Sequence, residues 1–149
     1  MASRDHPFWK FAAGEVPGPP CARLLGWTLV SGEPGSGTIT VRFEAKPEFT
    51  NPIGSIQGGF LAAMLDDTMG PALVTTLEKD EFAPTLELKV SFIRPAKPGP
   101  VIGTGRVVHR GGTVAFLEGE LRSAEGQLLA TATATARIMR MDESQLSRA

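Results

Sequence analysis

The chain of 149 residues has a single cysteine, Cys21, which excludes an intrachain disulfide and suits a reducing interior. It has only two histidines, His6 and His109, and no spacing that resembles a zinc site, so no metal is expected. There is no lysine or arginine cluster either. Fifteen basic against sixteen acidic residues leave a formal charge of −1, which argues against nucleic acid as a partner. Met1 to Val16 is interrupted by Arg4, Asp5, Lys10 and Glu15, so no signal core or membrane span is expected there. No internal repeat or low-complexity tract appears. What remains is the expectation of a soluble cytoplasmic protein forming a single domain over 1–149. Its hydrophobic content of 42% is enough for one core.

The pattern along the chain predicts an N-terminal arm over 1–20. Phe8, Trp9 and Phe11 lie in a short amphipathic helix between Arg4 and Ala13, and Pro17-Gly18-Pro19-Pro20 ends the arm. Trp27 to Val30 and Thr38 to Glu44 flank Glu33-Pro34-Gly35-Ser36-Gly37, which reads as a hairpin. From Gly58 to about Leu77 the chain has helical length, with Gly70-Pro71 expected to kink or shorten it. Apolar residues cover most of that helix's circumference, as in a helix enclosed by other structure. Four strands follow: Thr85 to Phe92, Val101 to Arg110, Val114 to Ser123 and Leu128 to Met139. In the last of these Ala130, Ala132, Ala134 and Ala136 form a small-residue face suited to close packing on a helix. A polar tail, 142–149, is expected to fray. The order of hairpin, buried helix and antiparallel meander predicts an α+β fold in which a sheet wraps around one long central helix.

The chemistry concentrates where that helix begins. Asn51-Pro52-Ile53-Gly54-Ser55-Ile56-Gln57-Gly58-Gly59 leads into the helix, and Asp66 and Asp67 lie inside it. A glycine pair at a helix start lets a ligand carbonyl approach unpaired N–H groups at the positive end of the helix dipole. Alternatively, the glycines only permit close packing of helix on strand. Carboxylates on an apolar helix need a reason, because a buried unpaired charge is costly.

These residues resemble the hotdog-fold acyl-CoA thioesterases, in particular the branch of phenylacetate-pathway enzymes and one type of 4-hydroxybenzoyl-CoA thioesterase. The likeness runs from Phe49 to Ile138. That branch shows Asn, then Gly, then His-Gly-Gly, with an acidic residue nine positions after the histidine. Asn51, Gly54, Gly58, Gly59 and Asp66 fall on this pattern, and Phe92-Ile93-Arg94-Pro95 resembles a recurrent strand ending. Gln57 stands at the histidine position; it can hydrogen-bond a carbonyl but cannot carry a proton as imidazolium.

The resemblance implies a hotdog fold, thioester hydrolysis and no cofactor beyond the coenzyme A of the substrate. Gly59 N–H, with Gly58 nearby, would polarise the thioester carbonyl, and Asp66 would act as nucleophile or as general base for water. Register favours Asp66 over Asp67, which is left a structural or interface role. Asn51 would orient the loop or contact the thioester, with turn-capping as the alternative. Thr85 matches a position that helps to hold the attacking water. The phosphates of coenzyme A call for cations, with Arg94, Lys97 and Arg110 as candidates and Gly111 in the adjoining turn.

Gly58 and Asp66 are eight residues apart, or ~12 Å along one helix, so a small thioester cannot touch both. The expected site therefore joins Asp66 of one subunit to Gly59 of another, which makes a homo-oligomer, a dimer or a tetramer, part of the mechanism. The expected function is hydrolysis of an aromatic or medium- to long-chain acyl-CoA. Gln57 keeps open a second reading, a non-catalytic acyl-CoA binding or sensing protein. A hydratase would want a histidine near the motif and ranks last.

Overall fold

The computed structural model describes residues 2–146. A short helix α1 (Phe8–Ala12) ends where Gly14 takes a φ of 75°, and a second helix α2 (Pro20–Leu25) follows. Pro17-Gly18-Pro19-Pro20 reads as a stop, yet Pro20 occupies the first turn of α2. Its fixed φ and missing N–H are harmless there. Gly26, at φ 67°, closes α2 in the left-handed conformation.

The expected hairpin forms as β1 (Thr28–Gly32) and β2 (Thr38–Ala45), with Ile39, Val41, Phe43 and Ala45 of β2 buried. The central helix α3 (Gly58–Val74) is followed by β3 (Glu81–Phe82), β4 (Thr85–Phe92), β5 (Gly99–Arg110), β6 (Val114–Ser123), β7 (Leu128–Arg137) and β8 (Met139–Arg140). Six strands make one antiparallel sheet in the order β1-β2-β5-β6-β7-β4, and β3 pairs with β8 in a separate ribbon. The four later strands are thus not a simple meander. β4 pairs with β7, while β5 crosses to β2. The link between them holds Pro95 and Pro98, which have no N–H for a ladder, and it is pinned by Ile93 and Arg94 N–H donating to Leu129 O at 2.8 and 3.1 Å. Part of the tail expected to fray forms a helical turn, α4 (Glu143–Leu146), where Asp142 Oδ1 accepts from Gln145 N–H at 2.9 Å. Residues 147–149 lie outside the described residues.

Helix α3 sits in the curl of the sheet because the strands beneath it lack side chains. A Cβ at Gly105 would lie 2.8 Å from the Thr68 carbonyl oxygen, and one at Gly119 would lie 2.8 Å from Met69 Cγ. Ala130, Ala132, Ala134 and Ala136 of β7 are buried as well. The Thr68 hydroxyl is satisfied inside the helix by Met64 O at 2.7 Å.

Helix α3 runs on through Pro71 and ends at Val74, short of the Leu77 expected. Proline cannot donate to the carbonyl four residues back, which is that of Asp67. The indole Nε1 of Trp27 donates to that carbonyl instead, at 2.9 Å. Trp27 in turn packs against Phe8 and Phe11 of α1, at ring-centroid distances of 5.8 and 4.6 Å, so the arm docks on the body through an aromatic cluster. Thr75 and Thr76 end the helix, their hydroxyls bonding to Ala72 O and Leu73 O at 2.8 and 2.7 Å.

Candidate functional site

The loop before α3 is built around Asn51. Its Oδ1 accepts from Ile53 N–H and Ser55 N–H, both at 3.1 Å, and its backbone N–H donates to Ser55 O at 2.7 Å. Gly54 meets the positive φ the turn requires, at 82°. Within the chain Asn51 is therefore the loop's internal cap. Ile56 N–H donates to Ala96 O and Gln57 N–H to Phe49 O, both at 2.8 Å, so the start of α3 is held between the 3₁₀ turn Pro47–Phe49 and the link after β4.

Gln57 is the helix N-cap, and its side chain is exposed with no capping hydrogen bond. The two glycines after it differ. A Cβ at Gly58 would stand 2.9 Å from Phe92 Cζ, so this glycine allows close contact with the end of β4. A Cβ at Gly59 would meet nothing within 4 Å. Gly59 is exposed in the first helical turn, where N–H groups have no intrahelical acceptor, so space and a backbone donor coincide there.

Asp66 lies two turns further along and is exposed. Its Oδ1 accepts from the Thr85 hydroxyl at 2.8 Å, which ties the helix to the start of β4. No hydrogen bond engages Oδ2 among the described residues, so one oxygen is anchored and the other is available to attack or to take a proton. Asp67, about 100° further round, meets the opposite environment. Its Oδ2 is buried without a hydrogen-bond partner among the described residues. Burial first, and the charge of Asp66 second, push its carboxyl up to about 7. The two aspartates are thus an open carboxylate and an enclosed one that holds its proton into the neutral range.

The sequence profile of the thioesterase superfamily matches residues 53–130, which span the glycine pair, both aspartates and strands β3 to β6. The chain belongs to the thioesterase superfamily. A human relative, acyl-coenzyme A thioesterase 13, is 33% identical over 111 residues, covering 72% of this chain and 77% of that protein. A phenylacetic acid degradation-related protein of Ralstonia eutropha has a solved structure with a TM-score of 0.82 and 40% identity, covering 87% of this chain and 98% of that one. The PaaI protein of Escherichia coli shares the fold, with a TM-score of 0.77 at 21% identity. The hotdog arrangement and thioester hydrolysis follow from this membership.

In this thioesterase the candidate cations fall into two groups. Arg94 and Lys97 are exposed on the link after β4, which Ile56 N–H ties to the start of α3. Arg94 Nη1 donates to Leu128 O at 3.1 Å, and the Lys97 ammonium has no partner among the described residues. Arg110 is engaged elsewhere. Its Nη2 lies 2.8 Å from Oε2 of Glu81, which is buried and also accepts from Glu78 N–H at 3.0 Å. Gly111 N–H closes the β5–β6 turn on Val114 O at 2.8 Å. The Arg110–Glu81 contact and the Trp27–Asp67 contact went unseen in the sequence. Both join distant segments, and neither has a local signature. A recess of about 510 Å³ on the sheet, lined in part by Lys89, Ser91, Thr104 and Thr131, includes none of the candidate residues.

Proposed function

We propose that this thioesterase hydrolyses acyl-CoA esters with an aromatic or medium- to long-chain acyl group, at a site completed by a second copy of the chain. The observation that carries this reading is the Asp66 carboxylate, held by Thr85 through one oxygen and open at the other, on a helix whose free N–H groups lie too far away to reach the same thioester. Gly59 N–H of one subunit would hold the carbonyl oxygen as negative charge develops, while Asp66 of the other attacks the carbonyl carbon or takes a proton from water. Either route consumes one water and yields a carboxylic acid and the free thiol of coenzyme A.

Two features support a second copy. Among the described residues the edge of β4 away from β7 has no strand beside it, and Leu86 and Phe92 on β4 are exposed apolar residues. Asp66 and Gly59 are also exposed on α3, so the face that would react is the face left uncovered. For the substrate's phosphates we assign Arg94 and Lys97 ahead of Arg110, whose charge Glu81 already meets. Gln57, exposed at the helix start, can donate an amide hydrogen bond to the carbonyl but cannot titrate.

The test is release of free coenzyme A thiol from a panel of aromatic and straight-chain acyl-CoAs, with Asp66→Asn protein in parallel. Turnover that disappears in the variant while substrate still binds is the expected result. Undiminished turnover in Asp66→Asn rejects Asp66. Wild-type protein that binds acyl-CoA saturably without turnover favours the binding-protein reading suggested by Gln57.

A further inference from the structure

His6 joins α1 to the body through both nitrogens of its ring. Phe8 N–H donates to His6 Nδ1 at 3.2 Å, and His6 Nε2 faces Glu81 O of β3 at 3.2 Å. An Nδ1 that accepts carries no proton, so the ring is neutral and its proton, on Nε2, is donated to the Glu81 carbonyl. A second proton would have to enter on Nδ1, against the Phe8 N–H, and that hydrogen bond would be lost. The charged groups nearby are the Glu81 carboxylate, with Arg110 and Arg140 at 2.8 and 3.9 Å from it, and Arg4, Asp5 and Lys10 on the arm itself. Burial holds His6 below its ordinary 6.5, outweighing the Glu81 carbonyl and carboxylate, which favour the charged ring.

The arm has little else to hold it. A helix as short as α1 cannot sustain itself in water, and none of its residues is fully buried. Ser3 N–H donates to Leu77 O at 3.1 Å, and the Arg4–Glu33 pair, at 2.9 Å, is open to solvent on both sides. The apolar hold is the packing of Phe8 and Phe11 on Trp27. We propose that the arm is a strap released by acid: neutral His6 keeps α1 on the body, and protonation of its ring frees α1 from Trp27. Docking is complete above the ordinary histidine range and weakens as pH falls through and below it. Release bares Trp27, whose Nε1 holds the Asp67 carbonyl beside Asp66, so the state of the strap reaches the helix that carries the site.

The chain has two tryptophans and no tyrosine, so its emission comes from Trp9 in α1 and from Trp27, on which the arm packs. The experiment follows that emission and its quenching by acrylamide from pH ~8 to ~4.5 in wild type, His6→Asn and His6→Ala, with far-ultraviolet circular dichroism on each and proton NMR of the His6 ring in wild type. The wild-type quenching constant is expected to rise ~2-fold or more as His6 titrates, below 6.5. His6→Asn, whose Oδ1 can accept from Phe8 N–H and takes no proton in this range, should stay docked throughout. His6→Ala should be quenched throughout as wild type is in acid. Asp67 and Glu81 are intact in both variants, so a transition that persists in a docked His6→Asn belongs to another group and overturns the inference. A His6 titration that leaves quenching unmoved overturns it too, as does an alanine variant quenched no more than wild type at pH ~8. A quenching rise that coincides with loss of the circular dichroism signal is global unfolding and has the same consequence. Should His6→Asn fail to dock, the wild-type midpoints decide: coincidence of ring titration and quenching supports the strap, and separation overturns it.

Discussion

The pairing of Trp27 with the carbonyl of Asp67 makes a double-mutant prediction about the helix that carries the site. Pro71 leaves that carbonyl without its helical donor, and Trp27 Nε1 fills the place at 2.9 Å. Trp27→Phe removes the donor and leaves a partly enclosed carbonyl unsatisfied, at a cost of about 1–2 kcal/mol. The smaller ring adds a packing cost at a site that is 6% exposed, for a total of roughly 2–4 kcal/mol. Pro71→Ala restores an N–H able to donate to the same carbonyl. On that background the packing cost persists while the hydrogen-bond cost falls away, so Trp27→Phe should cost ~1–2 kcal/mol less. The assay is urea unfolding followed by far-ultraviolet circular dichroism, on all four proteins at one concentration, because self-association changes apparent stability. Equal costs of Trp27→Phe on the two backgrounds, within about 0.5 kcal/mol, would refute the reasoning.

Asp67→Asn should be stabilising in a pH-dependent way. The folded carboxyl titrates at about 7 against a reference of 3.8, so the folded state keeps a proton that the unfolded chain has already lost, and stability falls as pH rises between these values. The difference is worth up to about 4 kcal/mol, so the variant should match wild type near pH 4 and exceed it increasingly up to pH 8. Urea midpoints that stay parallel across that range contradict it. Gly105→Ala places a methyl group 2.8 Å from the Thr68 carbonyl oxygen and should cost roughly 2–3 kcal/mol, while Gly59→Ala, with open space around it, should leave the melting temperature nearly unchanged. Calorimetry that finds the two variants alike would show that α3 does not rest on the glycines of the sheet. Replacing Arg94 and Lys97 together by alanine should raise KM for acyl-CoA roughly 3- to 10-fold at low salt, leave kcat in place and weaken the salt dependence. Steady-state kinetics with unchanged KM would send the phosphates elsewhere.

Elements whose evidence is periodic or local were legible in the residues. Ile39, Val41 and Phe43 alternate with polar neighbours and form a strand, and Gly58-Gly59 ahead of an apolar run opens a helix. Register singled out Asp66 as the candidate, and the structure places the Thr85 hydroxyl 2.8 Å from its carboxylate. Where local signals can be answered from a distance, reading by residue type fails. Pro19-Pro20 looks like an ending and begins α2, because only the first turn of a helix has N–H groups to spare. The order of strands escapes alternation altogether, since each strand has the same period whether β4 lies beside β5 or beside β7.

Pro71 shows the general reason. Proline ends a helix when the carbonyl it leaves behind has no other partner, and that condition belongs to tertiary structure rather than to the residue. The missing partner comes from Trp27, forty positions earlier, on the segment that also receives the aromatic arm. One indole N–H therefore lets α3 run on from Asp66 past Gly70. It keeps the Asp66 carboxylate on a helix that continues through Pro71 to Val74, and so fixes the group that the proposed hydrolysis requires.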